Sequence, residues 1–202
     1  MTTIVIPQRG NDDLTISLIE GIRKHERDVD IFIIDDGPSQ DYYSKVIAKN
    51  VFAIKNDKRG LTAAWNLGIR LSNRKNIILM NNDIICKGKF IDLCNPKSEN
   101  EIVGAKKRRE PLYEGRKLLQ GWFLCFSKSL WTKLGGFDER FKLYFQDTDF
   151  QIRALKEGGS LCQVDLPLKH LGHKTAHNKK LCPNRGELIA ADKAAFKEKY
   201  GL

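Results

Sequence analysis

Four short clusters in this sequence combine residue types that can do chemistry. Asp35-Asp36 precedes Gly37-Pro38-Ser39. Carboxylates there can accept hydrogen bonds from a base N–H and from ribose hydroxyls, although Asp-Gly-Pro-Ser is also ordinary turn chemistry. Asn81-Asn82-Asp83 offers hard oxygen donors of the kind Mg²⁺ or Mn²⁺ takes when bridged to a diphosphate, or else a plain turn. In Tyr144-Phe145-Gln146-Asp147-Thr148-Asp149-Phe150, two acids stand at a predicted helix start, where a carboxylate serves as a base toward a substrate or as an N-cap favoured by the helix dipole. His170-Leu171-Gly172-His173-Lys174-Thr175 supplies two imidazoles and an ammonium, suited to a metal or a diphosphate and also readable as a chance pair of surface histidines.

Hydrophobic periodicity predicts the elements that position these clusters. Residues 3–7 read as a strand, and residues 12–24 carry Leu14, Leu18, Ile19 and Ile22 at helical spacing. Residues 30–34 form a β-branched apolar run that ends at Asp35-Asp36. A helix around 41–48, a strand over 51–54, a helix over 60–71 and a strand over 76–80 follow, the last ending at Asn81-Asn82-Asp83. Such alternation predicts an α/β fold with a mostly parallel central sheet flanked by helices, which binds ligands beyond the carboxyl ends of its strands. Both acidic clusters fall there. Beyond residue 90 the rhythm loosens into a strand over 121–126 and helices over 128–134 and 147–157, a half expected to present an acceptor. Residues 183–202 carry Leu188, Ala191, Ala195 and Phe196 at helical spacing and should pack on the rest. The expectation is one domain over 1–202, with a ligand-binding half at 1–90, a second half at 91–180 and a C-terminal helix at 181–202.

Composition narrows the class. At 202 residues and 41% hydrophobic, the chain can bury one sizeable core. Its longest apolar runs are strand-sized, far below the roughly 20 residues of a membrane-spanning helix. The N-terminus lacks the basic and apolar regions of a cleaved signal, so a cytoplasmic protein is expected. Five scattered cysteines with no Cys-x-x-Cys pair read as free thiols. The net charge of +10 suits a polyanionic partner. Much of it lies in Lys106-Lys107-Arg108-Arg109, a loop that is either solvated or in contact with an anionic acceptor or the inner face of a membrane.

The order of motifs is more specific than any one of them: Val-Ile-Pro, Ile-Asp-Asp-Gly, Arg-Gly with a following Asn, Asn-Asn-Asp, Gly-Gly-Phe-Asp-Glu, Gln-Asp-x-Asp, then His-x-Gly. From Ile4 to about Thr175 this series resembles the family 2 glycosyltransferases of the GT-A fold, and most nearly their rhamnosyltransferase-like branch. The resemblance implies an inverting transferase that moves a sugar from a nucleotide-diphosphate sugar to an acceptor hydroxyl, on a glycan, a lipid-linked carrier or another molecule.

It also implies roles. Pro7, Arg9 and Asn11 would line the nucleotide, Asp36 would meet the base, and Arg59, Gly60 and Asn66 would close over the donor. Asn81 would face the ribose or sugar beside Asn82, and Lys174 would steady the diphosphate. Asp83 and His170 would hold Mn²⁺ or Mg²⁺, with His173 as the competing ligand. Asp147 would be the general base, with Asp149 as fallback, and Gly121 and Trp122 would lie on the acceptor side. The sequence departs from the family where Asn81 replaces a first acid and Gln146 a preceding Glu. A donor-binding protein without turnover is therefore one alternative. A sugar nucleotidyltransferase is another, though Gln8-Arg9-Gly10 is a poor triphosphate loop. A basic nucleic-acid-binding module is the third, and it leaves the acidic strand ends unexplained.

Overall fold

The computed structural model describes residues 2–37, 48, 50–57, 59–172, 178 and 180–201. Its elements run β1 (Thr2–Gln8), α1 (Asp12–His25), β2 (Val29–Asp35), β3 (Val51–Lys55), α2 (Leu61–Leu71), β4 (Asn76–Met80), β5 (Ile84–Cys86), β6 (Glu101–Gly104), β7 (Phe123–Ser127), α3 (Lys128–Lys133), α4 (Gln146–Lys156), β8 (Ser160–Gln163), β9 (Leu168–His170) and α5 (Arg185–Tyr200). The helix expected around 41–48 lies outside the described residues, apart from residue 48. The short strands β5, β6, β8 and β9 were not foreseen, because three- and four-residue strands carry too little alternation to stand out.

Seven strands form one sheet in the order β3-β2-β1-β4-β7-β6-β8, and β5 pairs with β9 in a separate antiparallel ribbon. Strands β1 to β4 are mutually parallel, and β7 alone runs against both its neighbours. The sheet is covered on both faces, as uniformly apolar parallel strands require. Ile4 and Ile6 of β1 point into a core with Leu18 and Ile22 of α1, while Val5 points into the opposite core with Trp65 and Ile69 of α2. A Cβ on Gly68 would run into Val5, so α2 lies directly on β1.

This topology brings the clusters to one edge. Asp35-Asp36 and Asn81-Asn82-Asp83 leave the ends of parallel strands, and the antiparallel start of β7 lies beside the end of β4, with Phe123 opposite Met80. Gly121 and Trp122 are therefore a turn before β7 rather than its first residues, and Trp122 O accepts a hydrogen bond from Asn81 N at 3.0 Å.

Helix α4 begins one residue earlier than expected, and its N-cap position is Phe145 in the left-handed region at φ 68°, not Asp147 or Asp149. Both acids lie inside the first turn, where the dipole favours them. Phe137 of the Gly-Gly-Phe turn stacks on Phe150 of α4 at 4.3 Å between ring centroids. The C-terminal helix α5 packs Phe196 against Phe141 and Phe145. Its Asp192, fully buried, accepts the backbone N–H groups of Lys142, Leu143 and Tyr144, each at 2.8 Å, in the loop that leads into α4.

Candidate active site

At the end of β2 the two carboxylates have separate tasks. Asp35 is spent locally: it accepts from Gly37 N at 2.8 Å and Lys55 Nζ at 3.0 Å. Asp36, nearly buried, accepts from Asn56 Nδ2 at 2.7 Å, Gly60 N at 3.0 Å and Arg9 Nη1 at 3.1 Å. Asp36 thus ties the β1–α1 loop to the start of α2. Gly60 caps that helix at φ 95°, a conformation that side chains resist. Buried Asn56 keeps its Oδ1 without a hydrogen-bond partner among the described residues, an acceptor beside Asp36 that suits an incoming N–H. Arg9 is more than a third exposed and also donates Nε to Leu181 O.

The rest of the expected donor set divides between lining and bracing. Pro7 sits in β1 opposite Ile34, and Asn11 takes φ 57° before α1. Asn82 is buried, and its amide donates to Gln8 Oε1 at 2.8 Å and Thr15 Oγ1 at 3.1 Å, joining the ends of β4 and β1. Asn66 is committed to the Gly-Gly-Phe-Asp-Glu turn: Nδ2 donates to Phe137 O and Glu139 Oε1, and Oδ1 accepts from Phe137 N and Trp131 Nε1. Arg59 pairs with the same Glu139 at 3.2 Å. Lys174 and His173 lie outside the described residues.

Past β4, Asp83 Oδ1 lies 3.0 Å from His170 Nε2, brought there because β9 pairs with β5. Asn81 Nδ2 is 3.5 Å from the same nitrogen. Two donors on adjacent positions of an octahedral ion with ~2.1 Å bonds stand about 3 Å apart, so this oxygen–nitrogen pair fits a divalent metal. Among the described residues no cluster of three or more His, Cys, Asp or Glu forms, and Mg²⁺-type sites commonly complete their shell with water or substrate oxygens. The His170 ring stacks on Trp122 at 5.0 Å with planes 10° apart. Together the two rings line an open cleft of about 490 Å³.

Gly121 is the hinge between this pair and the next carboxylate. A Cβ on Gly121 would come within 2.6 Å of Asp147 Oδ2, so only glycine lets the turn pass over the acid. Asp147 is 6% exposed, and its Oδ2 accepts from Arg108 Nη2 at 2.7 Å. Asp149, on the far side of α4, has no solvent exposure. Arg153 donates to its Oδ2 from Nε and Nη2 at 2.8 Å, while Tyr200 Oη at 2.6 Å and Lys199 Nζ at 2.5 Å hold Oδ1. Burial and the bond to Asp149 push the Tyr200 hydroxyl well above its usual range, so it stays a donor.

The structure thus gathers Asp83, His170, Asn81, Trp122, Gly121 and Asp147 along one path, and Arg9, Asp36 and Gly60 at the neighbouring strand ends. Three contributors were missed. Gln8 and Asn56 carry no motif of their own; Arg108 was visible only as part of a basic run. The five cysteines are all free thiols.

This arrangement, a carboxylate-bearing strand end beside an oxygen–nitrogen pair and a helix-borne carboxylate, sits on a GT-A fold. The profile of glycosyl transferase family 2 matches residues 3–152, more than half the chain, and the chain belongs to that family. A mannosyltransferase, PcManGT from Pyrobaculum calidifontis, solved with GDP-Man and Mn²⁺, superposes with a TM-score of 0.64 at 15% identity, over 81% of this chain and 54% of that one. GalNAc-T7, solved with UDP, GalNAc and Mn²⁺, superposes with a TM-score of 0.70 at 13% identity, over 96% of this chain and 48% of that one. The chain spans about half the length of these two structures. No curated protein matches its sequence significantly. No described helix is long and apolar enough to cross a membrane.

Proposed function

We propose that this chain is an inverting glycosyltransferase that moves a hexosyl or rhamnosyl group from a nucleotide-diphosphate sugar to an acceptor hydroxyl. The observation that carries the proposal is the Gly121-Trp122 turn, which touches both halves of a displacement site: Trp122 stacks on metal-competent His170, and Gly121 lies against Asp147. The two neighbours were solved with nucleotides and Mn²⁺, which supports a divalent ion here.

In this reading the base and ribose lie over Pro7, Arg9, Asn11 and Asp36, with Asn56 Oδ1 as an added acceptor. Asp83 and His170 would hold Mn²⁺ or Mg²⁺, whose chemistry there would be to neutralise charge on the departing diphosphate. Asn81 faces the sugar, and Lys174 is a further cation for the diphosphate. Asp147 accepts the proton of the acceptor hydroxyl as its oxygen bonds to the anomeric carbon and the bond to the nucleoside diphosphate breaks. Arg108 holds that carboxylate in place. We assign Asp149 a structural role instead of fallback base, since burial and three partners leave it no approach to an acceptor. Asn66 and Asn82 likewise act by bracing the turn and the strand ends. The chain acts as one domain in the cytoplasm, where its basic loop can meet anionic surfaces.

The test is thermal stabilisation by a panel of nucleoside diphosphates and nucleotide sugars, with and without Mn²⁺, followed by assay of nucleoside diphosphate release. A metal-enhanced shift with one nucleotide, and release dependent on Asp147, supports the transferase. A shift without release supports the donor-binding alternative, and no shift at all removes the donor site.

A further inference from the structure

The cleft beside His170 carries an unbalanced charge. Its walls include Lys87, which follows β5, Lys106, which follows β6, and Lys169 of β9, together with a single acid, Asp165. All three lysines are exposed, and among the described residues none of their ammonium groups pairs with a carboxylate. Elsewhere on the surface Lys75 and Lys133 do find partners, in Glu99 and Glu157. Three lysines from three separate elements on one concavity focus a positive potential that a dispersed surface would not hold. Lysine meets phosphate as a mobile point charge, which suits a ligand whose phosphate must be reached from several sides.

The same cleft offers an apolar face. Trp122, Leu166 and Leu168 line it; the indole N–H of Trp122 is satisfied by Gln120 Oε1 at 3.1 Å, a neighbour in the same wall, and one face of the ring stacks on His170, so the remaining ring edge and face are what a ligand can pack on. The cleft includes none of the residues grouped around Asp36, so it is distinct from the nucleotide end. Yet His170 belongs to both the cleft and the Asp83 pair, so a ligand seated here abuts the reacting centre.

We propose that this cleft is the acceptor site and that the acceptor is a saccharide bearing a phosphate or diphosphate, with the anion between Lys87, Lys106 and Lys169 and the sugar ring against Trp122. The proposal rests on the transferase reading above. The anion has two possible sources, a soluble sugar phosphate or the diphosphate of a lipid-linked sugar, and the chemistry they share is what the cleft recognises.

Calorimetric titration of the full chain tests this with three probes: a hexose 1-phosphate, the corresponding free hexose, and a polyprenyl-diphosphate-linked hexose in neutral detergent micelles. Each is run with and without a saturating nucleoside diphosphate and Mn²⁺, on the parent chain, on the Lys106→Gln/Lys169→Gln double variant, and on Lys193→Gln as a charge control outside the cleft. We expect a phosphorylated probe to bind with the nucleotide present, the free hexose to bind about tenfold more weakly or worse, and the double variant to lose about tenfold or more while Lys193→Gln loses nothing. Binding of the soluble phosphate identifies that source, and binding of the micellar probe alone identifies the carrier. Equal binding of phosphorylated and free hexose, equal loss in the double variant and the control, or displacement of the phosphate by nucleotide would overturn the proposal, the last because the lysines would then serve the donor. If no nucleoside diphosphate binds, the donor reading fails separately, and the titrations without nucleotide judge the cleft by the same criteria.

Discussion

Arg108 Nη2 lies 2.7 Å from Asp147 Oδ2 and 3.2 Å from Thr148 Oγ1, so a residue of the basic loop covers the carboxylate proposed as the base. The pair fixes the acid's rotamer, and Oδ1, which accepts a long 3.4 Å bond from Thr148 Oγ1, is the oxygen that an acceptor must find. Asp147→Asn should reduce sugar transfer by about 10²–10⁴-fold, the usual contribution of a positioned general base, while the thermal shift with nucleoside diphosphate stays unchanged. Arg108→Gln should lower kcat less than Asp147→Asn does. Equal retention of transfer in both variants would remove Asp147 from the mechanism.

A metal prediction follows from the 3.0 Å contact between Asp83 and His170. Asp83→Asn keeps a hydrogen bond to the imidazole but loses the anionic oxygen that a hard cation prefers. The Mn²⁺-dependent part of the nucleotide-induced rise in Tm should vanish in Asp83→Asn and in His170→Gln, and the metal-independent part should remain. Isothermal titration of Mn²⁺ in the presence of nucleotide checks it directly.

Gly121→Ala probes the close pass over Asp147. The new methyl would sit 2.6 Å from Oδ2, so the turn or the acid must shift. A displacement of this order at a reacting group can cost roughly 10²-fold in rate, against about 1–3 kcal/mol of stability for an overpacked site. The expected signature is a fall in kcat out of proportion to the fall in Tm.

How much of this was legible in the sequence depends on the length of the elements. β1, β2 and β4 were plain because each is a full apolar run in a doubly covered sheet, and the acids that follow β2 and β4 stood out with them. His170 was found by its motif, but its closeness to Asp83 depends on β9 pairing with the three-residue β5, which no periodicity announces. The family resemblance favoured Asp147 over Asp149, but nothing in one dimension gave the physical reason. They part company because residues two apart on a helix point to nearly opposite sides, one toward Gly121 and the other toward α5. Asn66 and Asn82 read as donor residues because an amide can face a ligand or brace a turn, and only the partners decide.

Asp192 supports the loop ahead of α4 by accepting three backbone N–H groups in a fully buried position. Asp192→Asn turns one acceptor oxygen into a donor that faces another donor. It should destabilise the fold by about 2–4 kcal/mol and lower Tm by roughly 5–10 °C, measured by calorimetry. Transfer should fall as well, because the loop sets the start of the helix that carries Asp147.

Asp138 gives the fold an acid-side dependence. Its hydrogen bonds to Arg140 and then to Lys199 outweigh burial and hold its carboxyl well below the ordinary value of 3.8. A depressed folded value stabilises the protein above the unfolded value, and that stabilisation is lost as pH falls through and below about 4. Asp138→Asn should therefore lower Tm at pH 7, and the gap from the parent protein should narrow steadily below pH 4. A gap that is constant with pH would assign the effect to packing alone.

The ion pairs that join α5 to the rest have a bearing on the order of synthesis. Asp138 and Asp149 emerge from the ribosome some fifty to sixty residues before Lys199 and Tyr200, their partners at 2.9 and 2.6 Å. Until α5 has been made, Asp149 has Arg153 of its own helix to offset its burial, and the loop, tied at Phe141 O by Thr62, lacks the carboxylate that gathers its next three N–H groups. The parallel strands β1 to β4 can assemble during translation, whereas the half that carries Asp147 gains these contacts only once α5 has followed it out of the ribosome.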